Sequence, residues 1–119
     1  MLKVLMAEHF FYNIFTFEAM FIYNVTCNVD EEIKDSWLKW MREEHIPQVM
    51  NTGCFTGNQI LKVHTSEDDG LTFSIQYHFF SMQNMETYQK DFAPALQADH
   101  KKKFGEKVRA FRTLLEIVA

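Results

Sequence analysis

The chain has 119 residues, 47% hydrophobic and 24% charged, a composition typical of one ordinary globular domain. Its formal net charge of -4 argues against a nucleic-acid partner, because nucleic-acid-binding surfaces are usually basic. Two cysteines, Cys27 and Cys54, are too few for a disulfide framework and lack zinc-binding spacing. We therefore expect free thiols, a reducing cytoplasmic location and no metal site.

The first nineteen residues are apolar and aromatic, and their place in the fold is open. Glu8 and His9 interrupt the segment, so it resembles neither a continuous signal-peptide core nor a membrane span. It is either an additional element over an apolar surface or a stretch preceding a natural start at Met20. We favour the second interpretation, because Met20 stands directly before a clean strand. The expected division is an N-terminal extension, residues 1–19, and a single domain, residues 20–119.

The first half of the domain alternates strand and helix patterns. Side chains alternate between apolar and mostly polar over residues 21–29, which predicts a strand. Apolar residues then recur at three- and four-residue steps over residues 30–45, which predicts an amphipathic helix that Asp30 can cap. Pro47 is expected to end or kink this helix. A second strand is predicted over residues 55–64.

The second half continues with a hairpin, a helix and a strand. A polar loop at residues 66–70 ends in Asp-Gly and predicts a hairpin into a third strand, residues 71–80. Ser81 can cap a second helix, which Pro94 interrupts, and a last strand is predicted over residues 107–118. The order β-α-β-β-α-β predicts an α+β, ferredoxin-like fold. It has a four-stranded antiparallel sheet with two helices on one face.

Several segments resemble the dimeric α+β-barrel superfamily and, within it, a bacterial family of domains of unknown function. They are residues 23–26, 37–47, 53–57, 92–97 and 110–115. The resemblance covers residues 20–118 and implies a homodimer that pairs sheet to sheet, but no particular reaction. Better-known branches include cofactor-independent monooxygenases and haem-degrading enzymes. One branch, similar to proteins of ethyl ether breakdown, ends its first helix with a histidine shortly before a proline, and His45 has that position here.

The helix face that should pack on the sheet carries the residues singled out for chemistry. His45 follows Trp37 and Met41 on this stripe, and a neutral imidazole there could be a catalytic acid or base. The alternative is a histidine that interacts with the carbonyls at the helix C-terminus. Trp37 and Trp40, with Tyr23 and Met41, could bind a planar ligand, or the two indoles could simply be core packing.

Other polar side chains are interpreted structurally. Arg109 and Arg112 lie on opposite faces of the last strand, so one of them points inward and needs a partner. The expected partner is one of three glutamates, with an anionic ligand as the alternative; the glutamates are Glu43, Glu44 and Glu116. His100 stands among charged residues and is expected to be mostly exposed. No motif for a cofactor or a metal is present, and none is expected to bind.

Polar residues of the first and third strands should lie together on the face away from the helices, because these strands are adjacent in the predicted sheet. Asn24 and Thr26 come from the first strand, and Gln76 and His78 from the third. We predict that they form the dimer interface, since this face must meet solvent or another sheet. A binding site inside the barrel is the alternative.

Two functions follow from these residues. The first is a homodimeric protein that binds a small molecule or acts as an interaction module, with no nucleic-acid or membrane partner. The alternative is a cofactor-independent monooxygenase-like or haem-related enzyme, with His45 beside Trp37 and Trp40 in a pocket between the first helix and the sheet. A pocket of roughly 300 Å³ or more would favour the enzyme, although one fold hosts many functions.

Overall fold

A computed structural model describes residues 20–65 and 71–119 of the protein. These residues contain the strands β1 (Phe21–Val29), β2 (Gly57–Lys62), β3 (Thr72–Phe79) and β4 (Val108–Glu116). The strands form one antiparallel sheet in the order β2-β3-β1-β4. The predicted ferredoxin-like α+β fold is confirmed. The predicted N-terminal extension and the polar hairpin loop lie outside the described residues.

Two helical arms connect the strands, and each contains a π-helical turn. The first arm consists of a 3₁₀ turn (Glu31–Ile33), α1 (Lys34–Trp40), a π turn (Met41–His45) and α2 (Ile46–Met50). The second consists of α3 (Met82–Thr87), a π turn (Tyr88–Phe92), α4 (Ala93–Phe104) and a 3₁₀ turn (Gly105–Lys107). No helix in the described ranges is long and apolar enough to cross a membrane.

The first arm continues one turn beyond its expected end. It stays helical through Pro47 to Met50, whereas the sequence pattern predicted an end or a kink at the proline. A proline has no N–H to donate, and its ring collides with the carbonyl four residues earlier in an α-helix. The wider π turn directly before Pro47 accommodates both effects, and the N–H of Ile46 reaches back five residues to the carbonyl of Met41.

The second arm also has a π turn directly before its proline. The N–H of Ala93 donates to the carbonyl of Tyr88, five residues earlier, immediately before Pro94. The arm begins after Ser81, as predicted. The backbone N–H of Ser81 donates to Oδ1 of Asn84 at 3.3 Å. Both prolines therefore lie within continuous helical arms.

The core lies between the helical arms and one face of the sheet. Alternate residues of β1 and β3 are buried there, as the period-two pattern predicts. Trp37 of the first arm and Phe79 of β3 have no exposed surface. β4 differs, because every residue after Val108 is exposed. The helices thus cover the centre of the sheet and leave its β4 edge open.

A chain of side-chain hydrogen bonds crosses the face of the sheet away from the helices. Gln59 of β2 donates to Gln76 at 3.0 Å, and Gln76 donates to Ser74 of the same strand, β3, at 3.2 Å. Ser74 donates in turn to Asn24 of β1, which donates to Thr26 at 3.0 Å. We call these five residues the polar relay. It satisfies hydrogen-bonding groups of this face within one chain.

Apolar side chains flank the polar relay. Phe111 and Leu115 lie opposite Thr26 and Ile22 in the β1–β4 register, so they share the uncovered face. Phe111 is 63% exposed, and Leu115 and Leu61 are also exposed. His78, opposite Ile22, completes this side of β3. The predicted interface residues therefore share one face that the helices do not cover.

Phe79 and Phe80 are neighbours in the chain with opposite surroundings, and they provide a matched test of the core. Phe79 has no exposed surface, whereas Phe80 is 51% exposed. We expect Phe79→Ala to lower the free energy of unfolding by about 3–5 kcal/mol, because a large buried ring is replaced by a cavity. Phe80→Ala should change it by about 0.5 kcal/mol or less. Urea denaturation followed by circular dichroism measures both, and equal losses would contradict this assignment of the core.

Candidate functional site

A cavity of about 60 Å³ lies between the helical arms and the sheet, next to the open β4 edge. Its walls come from both helical arms, from the inner strands β1 and β3, and from the edge strand β4. The lining residues are Tyr23, Val25, Cys27, Met41, His45, Ile75, Tyr77, Tyr88, Gln97, His100, Ala110 and Arg112. The cavity combines an apolar floor with several polar groups, as ligand sites usually do.

The two π turns place side chains in this cavity. Met41 and His45 are the first and last residues of one π turn, and Tyr88 is the first residue of the other. Segments of π-helix are rare in proteins and frequently occur at functional sites. Here the same wide turns that admit the prolines also supply part of the cavity wall.

Two imidazoles of the cavity wall pack with two indoles of the core, and we call these four residues the imidazole–indole cluster. The ring of His45 stacks on Trp40 with centroids 5.0 Å apart and meets His100 edge to face at 5.8 Å. His100 also lies 5.7 Å from Trp40. Trp37, the fourth member, is joined to His100 by a hydrogen bond of 3.0 Å. The cluster ties the two helical arms to each other.

The hydrogen bond from Trp37 determines the state of His100. An indole N–H can only donate, so Nε2 of His100 must accept and carries no proton. The remaining proton lies on Nδ1 and the ring is neutral. Burial also lowers the pKa of His100. The expectation that His100 is mostly exposed is wrong, because the helical arms pack this ring between Trp37 and Trp40.

His45 lines the cavity and is also held neutral. Burial, the neighbouring His100 and the more distant Arg112 lower the pKa of His45 to about 4, with Asp99 opposing them. Its Nδ1 is buried and has no hydrogen-bond partner among the described residues. The imidazole of His45 is therefore a neutral hydrogen-bonding group of the cavity wall near neutral pH.

The two tryptophans do not form the aromatic slot that their spacing suggested. Trp37 and Trp40 are buried in the core and do not line the cavity. The slot is absent because the indoles are occupied by His45, His100 and one core ring, Phe73 of β3. Tyr23 and Met41, the other two candidates, do line the cavity.

Arg112 is the charged residue of the cavity wall. It lies opposite Val25 in the β1–β4 register and so shares the helix-covered face of the sheet. The guanidinium of Arg112 and the amide of Gln97 both act on the phenol of Tyr23 and lower its pKa, against the larger effect of burial. Neither ion pair found within residues 20–65 and 71–119 involves Arg112. The expected ion pair with Glu43, Glu44 or Glu116 is therefore wrong for the described residues, which include all three glutamates.

Arg109, on the opposite face of β4, contrasts with Arg112. It pairs with Asp30 at 3.0 Å and donates to Asn28 at 2.7 Å. It also donates to the backbone carbonyl of Glu106 at 3.0 Å. Arg109 is thus fully engaged within the chain, whereas Arg112 keeps donors free for another partner.

The remaining titratable groups of the cavity are neutral near physiological pH. Burial raises the pKa of the Cys27 thiol to about 12, which leaves it protonated and a poor nucleophile. Burial also raises the pKa values of the phenols of Tyr23, Tyr77 and Tyr88. In the described part of the chain, no three His, Cys, Asp or Glu side chains are placed to hold a metal ion.

Sequence patterns missed five polar residues of the cavity: Tyr77, Tyr88, Gln97, His100 and Arg112. The helical spacing places Tyr88 and His100 on one face of the second helix. The local sequence pattern does not indicate that this face packs against the first helix. For Arg112 a signal existed, since it alternates with Ala110 and Leu114 on β4 and a small residue at Ala110 leaves space on that face.

A larger and more open depression lies on the other side of the first arm. It has a volume of about 590 Å³ and is lined by Leu38, Arg42, Ile46, Asn58, Ile60, Lys62 and Phe73. Both of its cations are on the rim of an apolar surface. It lacks the convergence of histidine, tyrosine and arginine found at the cavity, so the cavity is the better candidate site.

Solved structures place this architecture in the class of ferredoxin-like α+β proteins. A dimeric ferredoxin-like protein from an uncultured marine organism aligns with a TM-score of 0.62 at 14% identity, covering 84% of this chain and 95% of that chain. An EthD family protein from Bacillus halodurans aligns with a TM-score of 0.63 at 11% identity, covering 83% and 100%. The heme-degrader MhuD from Mycobacterium tuberculosis, with two hemes bound in its active site, aligns at 0.61 with 17% identity, covering 83% and 96%.

The family itself is identified from sequence. Residues 20–118 match the domain of unknown function DUF4286, and the chain belongs to that family. The resemblance to a family of domains of unknown function is thereby confirmed. No curated protein matches the chain. At identities this low, the solved structures establish the fold alone.

Burial of His45 predicts a pH-dependent stability. Its pKa is about 4 in the folded chain against 6.5 ordinarily, so the unfolded chain binds a proton between these values that the folded chain does not. The free energy of unfolding should therefore fall as the pH drops from about 6.5 to about 4, and this histidine accounts for roughly 3 kcal/mol of the loss.

Denaturant titrations at several pH values test this prediction with two variants. His45→Gln should lose less stability than the wild type across that range, because it has no imidazole to protonate. His64→Gln, which changes an exposed histidine, should follow the wild type. Parallel curves for the wild type and His45→Gln would show that His45 is not buried as described.

Proposed function

We propose that this protein is a homodimer that binds a small molecule in the cavity between its helical arms and sheet. The observation that supports it best is the convergence of polar groups on one largely apolar cavity. His45, His100 and Gln97 come from the helical arms, while Tyr23 and Arg112 come from the strands. Few convergent polar groups on an apolar wall are the usual composition of a binding site.

The volume of the cavity favours a small ligand. About 60 Å³ holds a few water molecules, at roughly 10–15 Å³ each on this measure. Sites for drug-sized ligands are about 300–1,000 Å³. A compound with a handful of non-hydrogen atoms matches the cavity.

The enzymatic alternative receives less support. A cofactor-independent monooxygenase-like enzyme would use His45 as its base, but a pKa of about 4 makes this imidazole a weak base near neutral pH. A haem-related activity would need a cavity large enough for a porphyrin, well beyond about 60 Å³. Trp37 and Trp40 are occupied in the core and offer no flat surface to such a ligand.

The uncovered face of the sheet is suited to pairing with a second copy. The polar relay satisfies its own hydrogen bonds, so burying it against another sheet leaves few groups without partners. Phe111, Leu115 and Leu61 add exposed apolar surface beside it. Asn24, Thr26, Gln76 and His78 would then lie at the centre of the interface, as the sequence predicts.

Two further features of the protein belong to this proposal. Residues 20–119 would be the folding unit, in keeping with the family match over residues 20–118. Cys27 and Cys54 are buried free thiols, which fits a reducing cytoplasmic compartment.

Light scattering coupled to size-exclusion chromatography tests the homodimer. The wild type should have twice the chain mass of 14.1 kDa. Gln76→Lys should shift the protein towards the monomer, because it brings two positive charges together between the sheets. Gln89→Lys makes the same change at an exposed position of the second arm and should leave the dimer intact. A dimer unaffected by Gln76→Lys would exclude this face as the interface.

A screen of small compounds by ¹H–¹⁵N NMR tests the cavity. Binders should shift the amide signals of cavity residues, and Ala110→Leu should abolish these shifts because its side chain fills the space. Ala98→Leu makes the same change on the exposed surface of α4 and should preserve binding. Compounds that bind the wild type and Ala110→Leu equally would show that the site lies elsewhere.

A further inference from the structure

We propose that the cavity binds a short-chain aliphatic monocarboxylate, with the carboxylate group on Arg112 and the alkyl chain towards the sheet. This inference rests on the proposed function and specifies the chemistry of its ligand. Three properties of the site support it: its charge, its free hydrogen-bond donors and its size.

Among the lining residues in the described part of the chain, Arg112 carries the only charge. The histidines are neutral, since His100 accepts from Trp37 and His45 is buried. The lining tyrosines and Cys27 keep their protons. Asp99 acts on both imidazoles from a distance but does not line the cavity. An anionic ligand would therefore meet one positive charge and no competing carboxylate among the described residues of the cavity wall.

The guanidinium of Arg112 has donors to spare. It carries five N–H groups, and its contact with Tyr23 occupies only part of the fork. A carboxylate matches the remaining donors in a two-pronged geometry, the strongest common mode of recognising this group. Gln97 also lines the cavity and adds neutral polar groups to its wall.

His45 offers a second donor to the ligand. The Nδ1 atom of His45 is buried and has no hydrogen-bond partner among the described residues. Leaving a buried acceptor unpaired costs less than leaving a buried N–H unpaired. The tautomer with the proton on Nε2 is therefore favoured. His45 lines the cavity, and in this tautomer its Nε2–H is a donor for an anion.

The apolar lining and the volume limit the rest of the ligand. Val25, next to Arg112 on the neighbouring strand, and Ile75 and Met41 line the cavity with apolar surface, which favours an alkyl group over a second polar one. A volume of about 60 Å³ admits a few non-hydrogen atoms and excludes large ring systems. Acetate, propionate and butyrate have the required charge and size.

The experiment compares these acids with their neutral amides on the full-length protein. Acetate, propionate and butyrate are titrated against acetamide, propionamide and butyramide, and amide NMR signals of cavity residues report binding. We expect the acids to bind more tightly than the amides. Arg112→Gln should weaken acid binding by about tenfold or more, since it removes a charged hydrogen-bond partner. Arg112→Lys keeps the charge but cannot form the two-pronged contact, so its affinity should lie between those of the wild type and Arg112→Gln.

Arg109→Gln is the matched control, because it removes an arginine from the other face of the same strand. It should bind the acids as the wild type does. If acids and amides bind equally and Arg112→Gln has no effect, the carboxylate inference is wrong while the binding function stands. If neither acids nor amides bind and the broader screen also finds no cavity ligand, both the inference and the proposed function are wrong. Equal weakening by both arginine variants would indicate general charge attraction and overturn the site.

Discussion

A proline inside each helical arm is the constraint on which the arrangement of the cavity depends. Pro47 and Pro94 each remove a backbone donor and would collide with a carbonyl in a regular α-helix. The arm before each one widens into a π turn, so both helices continue instead of ending. The residues of these turns face the sheet, which brings His45 and Tyr88 to one cavity. A helix ending at His45 would expose the imidazole at its terminus.

The bond between Trp37 and His100 makes the two arms a single unit. It joins residues 63 positions apart and buries an indole completely. Because each partner satisfies the other, neither leaves an unpaired polar group in the core, which would be costly. The same bond fixes the tautomer of His100 and keeps it neutral. The imidazole–indole cluster therefore holds the two arms together and also keeps the His100 side chain in the cavity wall neutral.

The two faces of the sheet differ in how their polar side chains are paired. On the uncovered face, neighbouring strands exchange hydrogen bonds through the polar relay, and Arg109 pairs with Asp30. On the helix-covered face, Arg112 near the β4 edge has Tyr23 but no acid. Arg112 is exposed at the edge of the sheet, and it also lines the cavity. This difference in pairing distinguishes the cavity from ordinary packing.

Local patterns in the sequence were enough to determine the fold, because alternation and helical spacing report directly which side of a strand or helix meets the core. They placed the strands closely, and they gave Tyr23, Met41 and His45 as residues of the inner face. Only the tertiary structure decided that Trp37 and Trp40 belong to the core, that His100 is buried between them and that Arg112 lacks an acidic partner. These facts depend on contacts between distant segments, such as Trp37 with His100, and no local period encodes which side chains meet when two helices pack.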